Sequence, residues 1–354
     1  MTTEITSVRV FDGNGFSQPR SVYFQDGLFV AASKAAQVIE GGGRFLLPGL
    51  IDSHIHLSGL KNLEKAAWHG IAGLMDMATQ DPQVVDRQRN LDGLPLIRSS
   101  YRAATEAGST QATKMKIPMI GSPSDARAFV KDQLSFGADY IKIVLPNRPL
   151  STGFNADTLR AAVDAAHEAG KKIIAHAVST AAYEFVVGSG LDVVTHLPLD
   201  ACIDYGAAES LAREGVVCVP TLIMMRGLSR RLKLITRGKV DFKHSQNSFR
   251  VLHDVGIRFL AGTDSNDDRK SPYQPKFGSA LIEELRLMEE DGLSPREVLR
   301  SATTEPVEFW DLHELGRVEP GRLASFSLLK ANPFDGLRNL RSMNNVWIGG
   351  RNVR

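Results

Sequence analysis

The sequence predicts an α/β protein: a (β/α)8 TIM barrel carrying a small β-sandwich domain built from both termini. Three observations carry that prediction. Eight short apolar runs alternate with amphipathic stretches, several of those stretches close on a glycine where a helix C-cap belongs, and metal-binding residue types interrupt the runs near their C-terminal ends. Strands alternating with helices also suit a doubly wound open sheet, but no Gly-rich dinucleotide turn follows the first run. Length agrees, since one barrel uses about 250 residues and the chain has 354.

Residues 1–47 hold short alternating pieces, TSVRVFD and SVYFQDGLFVAA, that read as antiparallel strands joined by turns. FLLPGLIDSHIHL (45–57) then runs apolar without polar alternation, as a parallel strand buried on both faces does, and ends in His-X-His. Side chains two apart on a strand point the same way, so His54 and His56 share a face. Seven further runs follow: 71–78, 94–100, 138–145, 172–178, 192–200, 216–223 and 257–265. Between them SDARAFVKDQLSFG, ADTLRAAVDAAHEAG and AAESLAREG carry apolar residues at helical spacing. The tail returns to strand character in SFSLLK and NNVWIGGRNVR, so the expected division is 1–47 and 320–354 for the small domain and 48–319 for the barrel. Segments 101–121, 146–155, 224–247 and 266–278 follow strand C-termini, where a barrel places its active-site loops.

A net charge of +2, with both signs mixed along the chain, gives no basic field for nucleic acid, which points to a small-molecule substrate. The opening MTTEITSVRV lacks a signal peptide's basic and apolar regions, and no apolar run approaches the roughly 20 residues a bilayer needs. The expectation is a cytoplasmic protein with no membrane partner. Cys202 and Cys218 are too few for a disulfide framework and read as small buried hydrophobes.

Lys142, His176, His196 and Asp264 each interrupt an apolar strand, as His54 and His56 do. Burying one such group alone costs several kcal/mol unless it is paired or ligated. Six at one barrel mouth therefore call for a common partner, and a metal centre is the economical one. Imidazole and carboxylate without cysteine suit Zn²⁺ and also permit Mn²⁺, Fe²⁺ or Co²⁺. His167 and His253 near helix C-termini, and His69 and His244 away from strand ends, read as structural. Asp52, next to the His-X-His, reads as support or capping and not as a ligand. Asp76, ending the second run, is balanced between plain support and orienting an imidazole.

With these residues in place the chain resembles the amidohydrolase superfamily over nearly its whole length. The strings PGLIDSHIHL, GADYIKI, AAHEAGKKIIAHA, GIRFLAGTDS and LGRVEPGRLASFSLL carry the likeness, which is greatest to the imidazolonepropionase and Xaa-Pro dipeptidase (prolidase-like) branch. The resemblance implies two Zn²⁺ ions bridged by a CO2-derived carbamate on Lys142 and by a hydroxide. His54, His56 and Asp264 would hold one ion and His176 and His196 the other, with Asp264 also the general base. It implies hydrolysis of an amide-type C–N bond in a dipeptide, N-acyl amino acid or cyclic amide, and pairing of barrels into homo-oligomers. Two departures wall the pocket: THLPLD stands where that branch commonly has Glu-His-Gly, and 101–121 lacks a Gly-Gly-His loop. The tail also has Ala324-Ser325-Phe326 in place of the usual Ala-Asp-Leu. Arg226, in the otherwise solvated basic run 225–239, is the candidate contact for a substrate carboxylate. Two alternatives stand beside hydrolysis on two metals. One is the same scaffold with a single metal or an unmodified lysine, performing deamination, lactone opening or a decarboxylase/lyase reaction. The other is a degenerate barrel serving as a binding module.

Overall fold

The structure, a computed structural model, describes residues 1–79, 81–107, 117–145 and 154–354. Five strands open the chain: β1 (Thr3–Val10), β2 (Arg20–Gln25), β3 (Leu28–Val30), β4 (Gln37–Glu40) and β5 (Phe45–Pro48). Among the described residues ten strands follow in the middle: β6 (Leu50–Ile55), β7 (Ile71–Asp76), β8 (Leu96–Ser99), β9 (Ala103–Glu106), β10 (Met119–Ile120), β11 (Ile141–Val144), β12 (Ile173–His176), β13 (Val193–Thr195), β14 (Val217–Val219) and β15 (Arg258–Phe259). The last three are β16 (Phe326–Leu329), β17 (Met343–Ile348) and β18 (Arg351–Asn352).

Strands from both ends share one mixed sheet, in the order β18-β17-β16-β5-β1-β2-β3, with β4 beside β1. β16 runs antiparallel to both β5 and β17, pairing Leu329 with Phe45 and Phe326 with Trp347. The sheet has its own apolar cluster of Ile5, Val8, Val22, Phe24, Phe29, Leu46, Phe326 and Trp347, separate from the main core. Phe326 stacks on Trp347 with centroids 4.8 Å apart, so the departure at Ala324-Ser325-Phe326 supplies an aromatic to this cluster.

The middle of the chain forms an α/β fold with parallel sheets. One has the order β6-β7-β8 and the other β10-β9-β11-β12-β13-β14-β15. Each of the eight apolar runs expected to be a strand contributes one, and burial is complete on β6, β7, β11, β13 and β14, as parallel strands covered on both faces require. Among the described residues the ladders do not form one closed circuit of eight strands. The two sheets meet through isolated bonds: Asp139 N–H to the Ser99 carbonyl on one side, and Ser53 N–H to Ala261 and His56 N–H to Ser265 on the other. Both junctions hold a residue at positive φ that breaks regular pairing, Tyr101 (φ 56°) and Asp264 (φ 58°). β9 and β10 lie within 101–121, which the sequence presents as loop, because short pieces such as AATE offer too few residues for a period to show.

Helices connect the strands: α1 (Leu60–Trp68), α2 (Pro82–Gln88), α3 (Pro123–Ser135), α4 (Ala156–Glu168), α5 (Thr180–Val186), α6 (Tyr205–Arg213), α7 (Leu222–Leu232), α8 (Phe242–Asp254), α9 (Ser279–Glu290), α10 (Pro295–Ser301) and α11 (Thr304–Phe309). α4 shows the local logic. Asn155 caps its first turn by accepting from Thr158 N–H, Leu159, Ala162, Val163 and Ala166 face the core, and Gly170 at φ 66° ends it. Among the described residues no helix is long and apolar enough to cross a membrane. The expected pocket-wall segments 101–121 and 146–155 lie partly outside the described residues, at 108–116 and 146–153.

Candidate metal centre

All six polar residues singled out at strand ends converge at the C-terminal ends of the parallel strands. His54 is buried within β6, and His56, one residue past its end, keeps its side chain 31% exposed. Their Nε2 atoms lie 3.5 and 3.1 Å from Asp264 Oδ1. His196, directly after β13, sits between the sets, its ring centroid 4.8 Å from that of His54 and 4.4 Å from that of His176 at the end of β12. Lys142, buried in β11, donates from Nζ to Thr195 Oγ1 at 2.9 Å. One ligand atom each from His54, His196 and Asp264 lie within 4.8 Å of one another. This grouping places His196 beside His54 and Asp264, whereas the resemblance assigns it with His176.

Electrostatics favour ligation. Burial, with the Lys142 charge and neighbouring imidazoles, holds His54 well below the usual imidazole range. His196 is lowered in the same way by burial, His176 and Lys142, and His176 falls to about 3 through burial and Lys142. These rings are neutral at pH 7, the form that binds metal. Burial opposes a charge on His56 too, but Asp264 beside it and the Ala78 carbonyl outweigh that and raise it. Burial lowers the Lys142 amine to about 7 against the pull of Asp264.

The donor set passes a direct test for a cation. His54 Nδ1 and Asp264 Oδ1 are buried polar atoms without a hydrogen-bond partner in the described structure. Asp264 Oδ1, faced by the Nε2 atoms of His54 and His56, is a buried oxygen that a Lewis acid would complete, while the unpartnered Nδ1 is the other nitrogen of the His54 ring.

The surrounding residues fix these side chains. His196 Nδ1 lies 2.8 Å from Thr221 Oγ1, and Tyr183 donates its hydroxyl to the His196 carbonyl at 2.7 Å. Asp52 accepts from the backbone N–H of His54 and of Thr263 and from the Thr263 hydroxyl, tying β6 to the turn that carries Asp264. Burial pushes Asp52 up to about 7 against those hydrogen bonds. His196 (φ 74°), Thr221 (φ 46°) and Asp264 (φ 58°) all adopt left-handed backbone, and strained residues persist only where their surroundings hold them. Gly262 is required here, because a Cβ would stand 2.4 Å from Val219 Cγ1 and 2.9 Å from the His54 nitrogen.

The profile of the amidohydrolase family matches residues 45–353. The chain belongs to the amidohydrolase family. The likeness read from PGLIDSHIHL onward is thereby borne out, and the family is generally metal-dependent. An adenine deaminase of Oleidesulfovibrio alaskensis is 27% identical over 352 residues, covering 93% of this chain and 54% of that protein. This amidohydrolase therefore spans about half the length of that relative. Among solved structures, a Xaa-Pro dipeptidase with methionine bound in its active site superposes with a TM-score of 0.83 at 19% identity, over 99% of both chains. Molinate hydrolase gives 0.78 at 18% identity over 99% of this chain and 94% of its own. These similarities establish the shared fold.

Arg226 lies on α7 with Nη2 2.9 Å from Glu283 Oε1, so the carboxylate it meets in this amidohydrolase is an internal one. Glu283 is held down to about 2 by Arg286 and Arg226. His167 pairs with Asp192 at 2.9 Å and His253 with Glu297 at 3.5 Å, both away from the cluster as their helix positions suggest.

Sequence reasoning missed Thr195, Thr221 and Glu284. Thr221 precedes α7 but makes no side-chain cap; its hydroxyl faces His196. Glu284 of α9 caps α7 instead, accepting from Leu222 N–H at 2.8 Å and Ile223 N–H at 2.7 Å while fully buried. An acidic residue on the apolar face of SALIEELRLM is the one signal the sequence offered.

Burial pushes Glu284 up to about 8 against those two N–H donors. Between an unfolded value near 4.5 and that folded value, the native state holds one proton more than the unfolded chain. Stability from this group is therefore present below pH 4.5 and falls as pH rises toward 8, by up to about 1.4 kcal/mol per pH unit. Urea unfolding of Glu284→Gln at pH 5 to 8 should show a correspondingly shallower decline than the parent protein. Equal slopes would remove the assignment.

Proposed function

We propose that this amidohydrolase cleaves an amide-type C–N bond in a small molecule: a dipeptide, N-acyl amino acid or cyclic amide. The observation that carries the reading is the convergence of His54, His196 and Asp264, with His56, His176 and Lys142 completing the ring. In this reading the two parallel sheets wrap as one (β/α)8 barrel over 48–319, with 1–47 and 320–354 as the accessory domain. Six polar side chains gathered at one mouth support it.

His54, His56, His176, His196, Asp264 and a carbamate on Lys142 would hold the metal, Zn²⁺ on the chemistry of the donors. When bound, divalent cations supply Lewis acidity toward the scissile carbonyl and lower the pKa of water. The residues do the rest. Asp264 as carboxylate takes the proton from the attacking water and delivers it to the leaving nitrogen. Lys142, hydrogen-bonded to Thr195 and buried, is placed to add its Nζ lone pair to CO2, forming an N–C bond and releasing one proton. The strained backbone at Asp264 and His196, braced by Asp52 and Tyr183, keeps these groups in position before substrate arrives.

A second reading, deamination on one metal, draws on the compact three-residue cluster and on the adenine deaminase relative. Metal analysis with a screen of dipeptides, N-acyl amino acids, lactams, lactones and aminopurines separates the two. About two ions per chain with amide cleavage supports the first; one ion with ammonia release from a purine supports the second. His176→Ala should fail in the same screen, and a fully active variant would overturn the centre.

A further inference from the structure

We propose that Asp76 is a positioning residue for His56, holding that imidazole in one tautomer and orientation through a buried hydrogen-bonded node. The inference rests on the reading of His56 as a metal ligand.

Asp76 ends β7 and is fully buried. Three donors converge on its carboxylate. The backbone N–H of Leu57, directly after His56, reaches Oδ1 at 2.9 Å; the Thr79 hydroxyl lies 3.0 Å from both oxygens; and the Ser99 hydroxyl closes on Oδ2. The Asp76 carbonyl is held as well, by the Tyr140 hydroxyl at 2.9 Å and Ser100 N–H at 3.1 Å. His56 Nδ1 lies 3.0 Å from the carbonyl of Ala78. The node thus grips both ends of the ring's cradle: residue 57 follows the imidazole in sequence, and residue 79 follows the carbonyl that accepts from it. With Nδ1–H donated to Ala78, Nε2 is the lone-pair nitrogen, and it faces Asp264.

Carrying a carboxylate to this place is expensive, since among the described residues no Lys or Arg pairs with Asp76 and a buried charge without a cation must be satisfied by hydrogen bonds alone. An asparagine would offer one acceptor oxygen to three donors. If the node merely fastened β6 to β7 and β8, its loss would weaken every function of the site equally. If it acts through His56, its effect disappears when that imidazole is gone.

A double-mutant cycle reads that difference. Zinc affinity of the full chain, measured by chelator competition, should fall about 10- to 100-fold in Asp76→Asn. In a His56→Ala background the same change should cost less than about threefold, because its target is absent. Thr79→Val, which keeps the carboxylate and removes one donor, should show the same pattern at smaller amplitude and serves if Asp76→Asn does not fold. Equal losses in both backgrounds would overturn the positioning role and leave a plain fastening. A His56→Ala protein that binds zinc like its parent would instead overturn the ligand reading on which the proposal stands.

Discussion

Asp264→Asn should lose turnover by about 10²- to 10⁴-fold, the range removed with a positioned general base, while retaining most of its metal. The substitution keeps the side chain's volume and one oxygen toward His54 and His56, so the cluster survives. It removes the carboxylate that takes a proton from water and returns it to the leaving nitrogen. The backbone supports the separation of effects. Asp264 N–H donates to the His54 carbonyl at 2.7 Å, and the preceding residue, Thr263, donates its N–H and hydroxyl to Asp52, none of which depends on the Asp264 side chain. Steady-state kinetics on the substrate from the screen, with metal content by elemental analysis, gives both readouts. A variant with parental kcat would exclude Asp264 as the base.

Lys142→Met should abolish activity and also reduce bound metal, which distinguishes it from the Asp264 variant. Methionine matches the buried lysine stem in volume, so packing between β9 and β12, the neighbours of β11, is preserved. It cannot form a carbamate and leaves Thr195 Oγ1 without its amine partner. The parent protein, stripped of metal and reloaded, should recover more activity with bicarbonate present than without. Lys142→Met should not respond to bicarbonate. Full activity in Lys142→Met, or reloading of the parent indifferent to bicarbonate and CO2, would refute the modification.

The convergence of the six polar residues was legible because each is a polar interruption in an apolar strand, and strand period fixes which way it faces. The parallel α/β character followed from the same runs. What the sequence hides is contact between elements distant along the chain. Glu284 reaching α7, Thr221 turning away from its own helix toward His196, and Asp52 gripping Thr263 are hydrogen bonds between residues far apart in the sequence that no local period encodes. The break between β8 and β9 was hidden for another reason: a single positive-φ tyrosine, an uncommon conformation for that residue type, has no sequence signature.

The pairing of β5 with β16 bears on how the chain is made. The two strands are separated by about 280 residues, from Phe45 to Phe326. At roughly 10 residues per second of synthesis, β5 waits on the order of half a minute on the ribosome for its antiparallel neighbour. During that interval one side of β5, which leads straight into the strand bearing His54, is an open hydrogen-bonding edge. The nascent protein is thus exposed to sticking and to chaperone capture along this edge until β16 emerges.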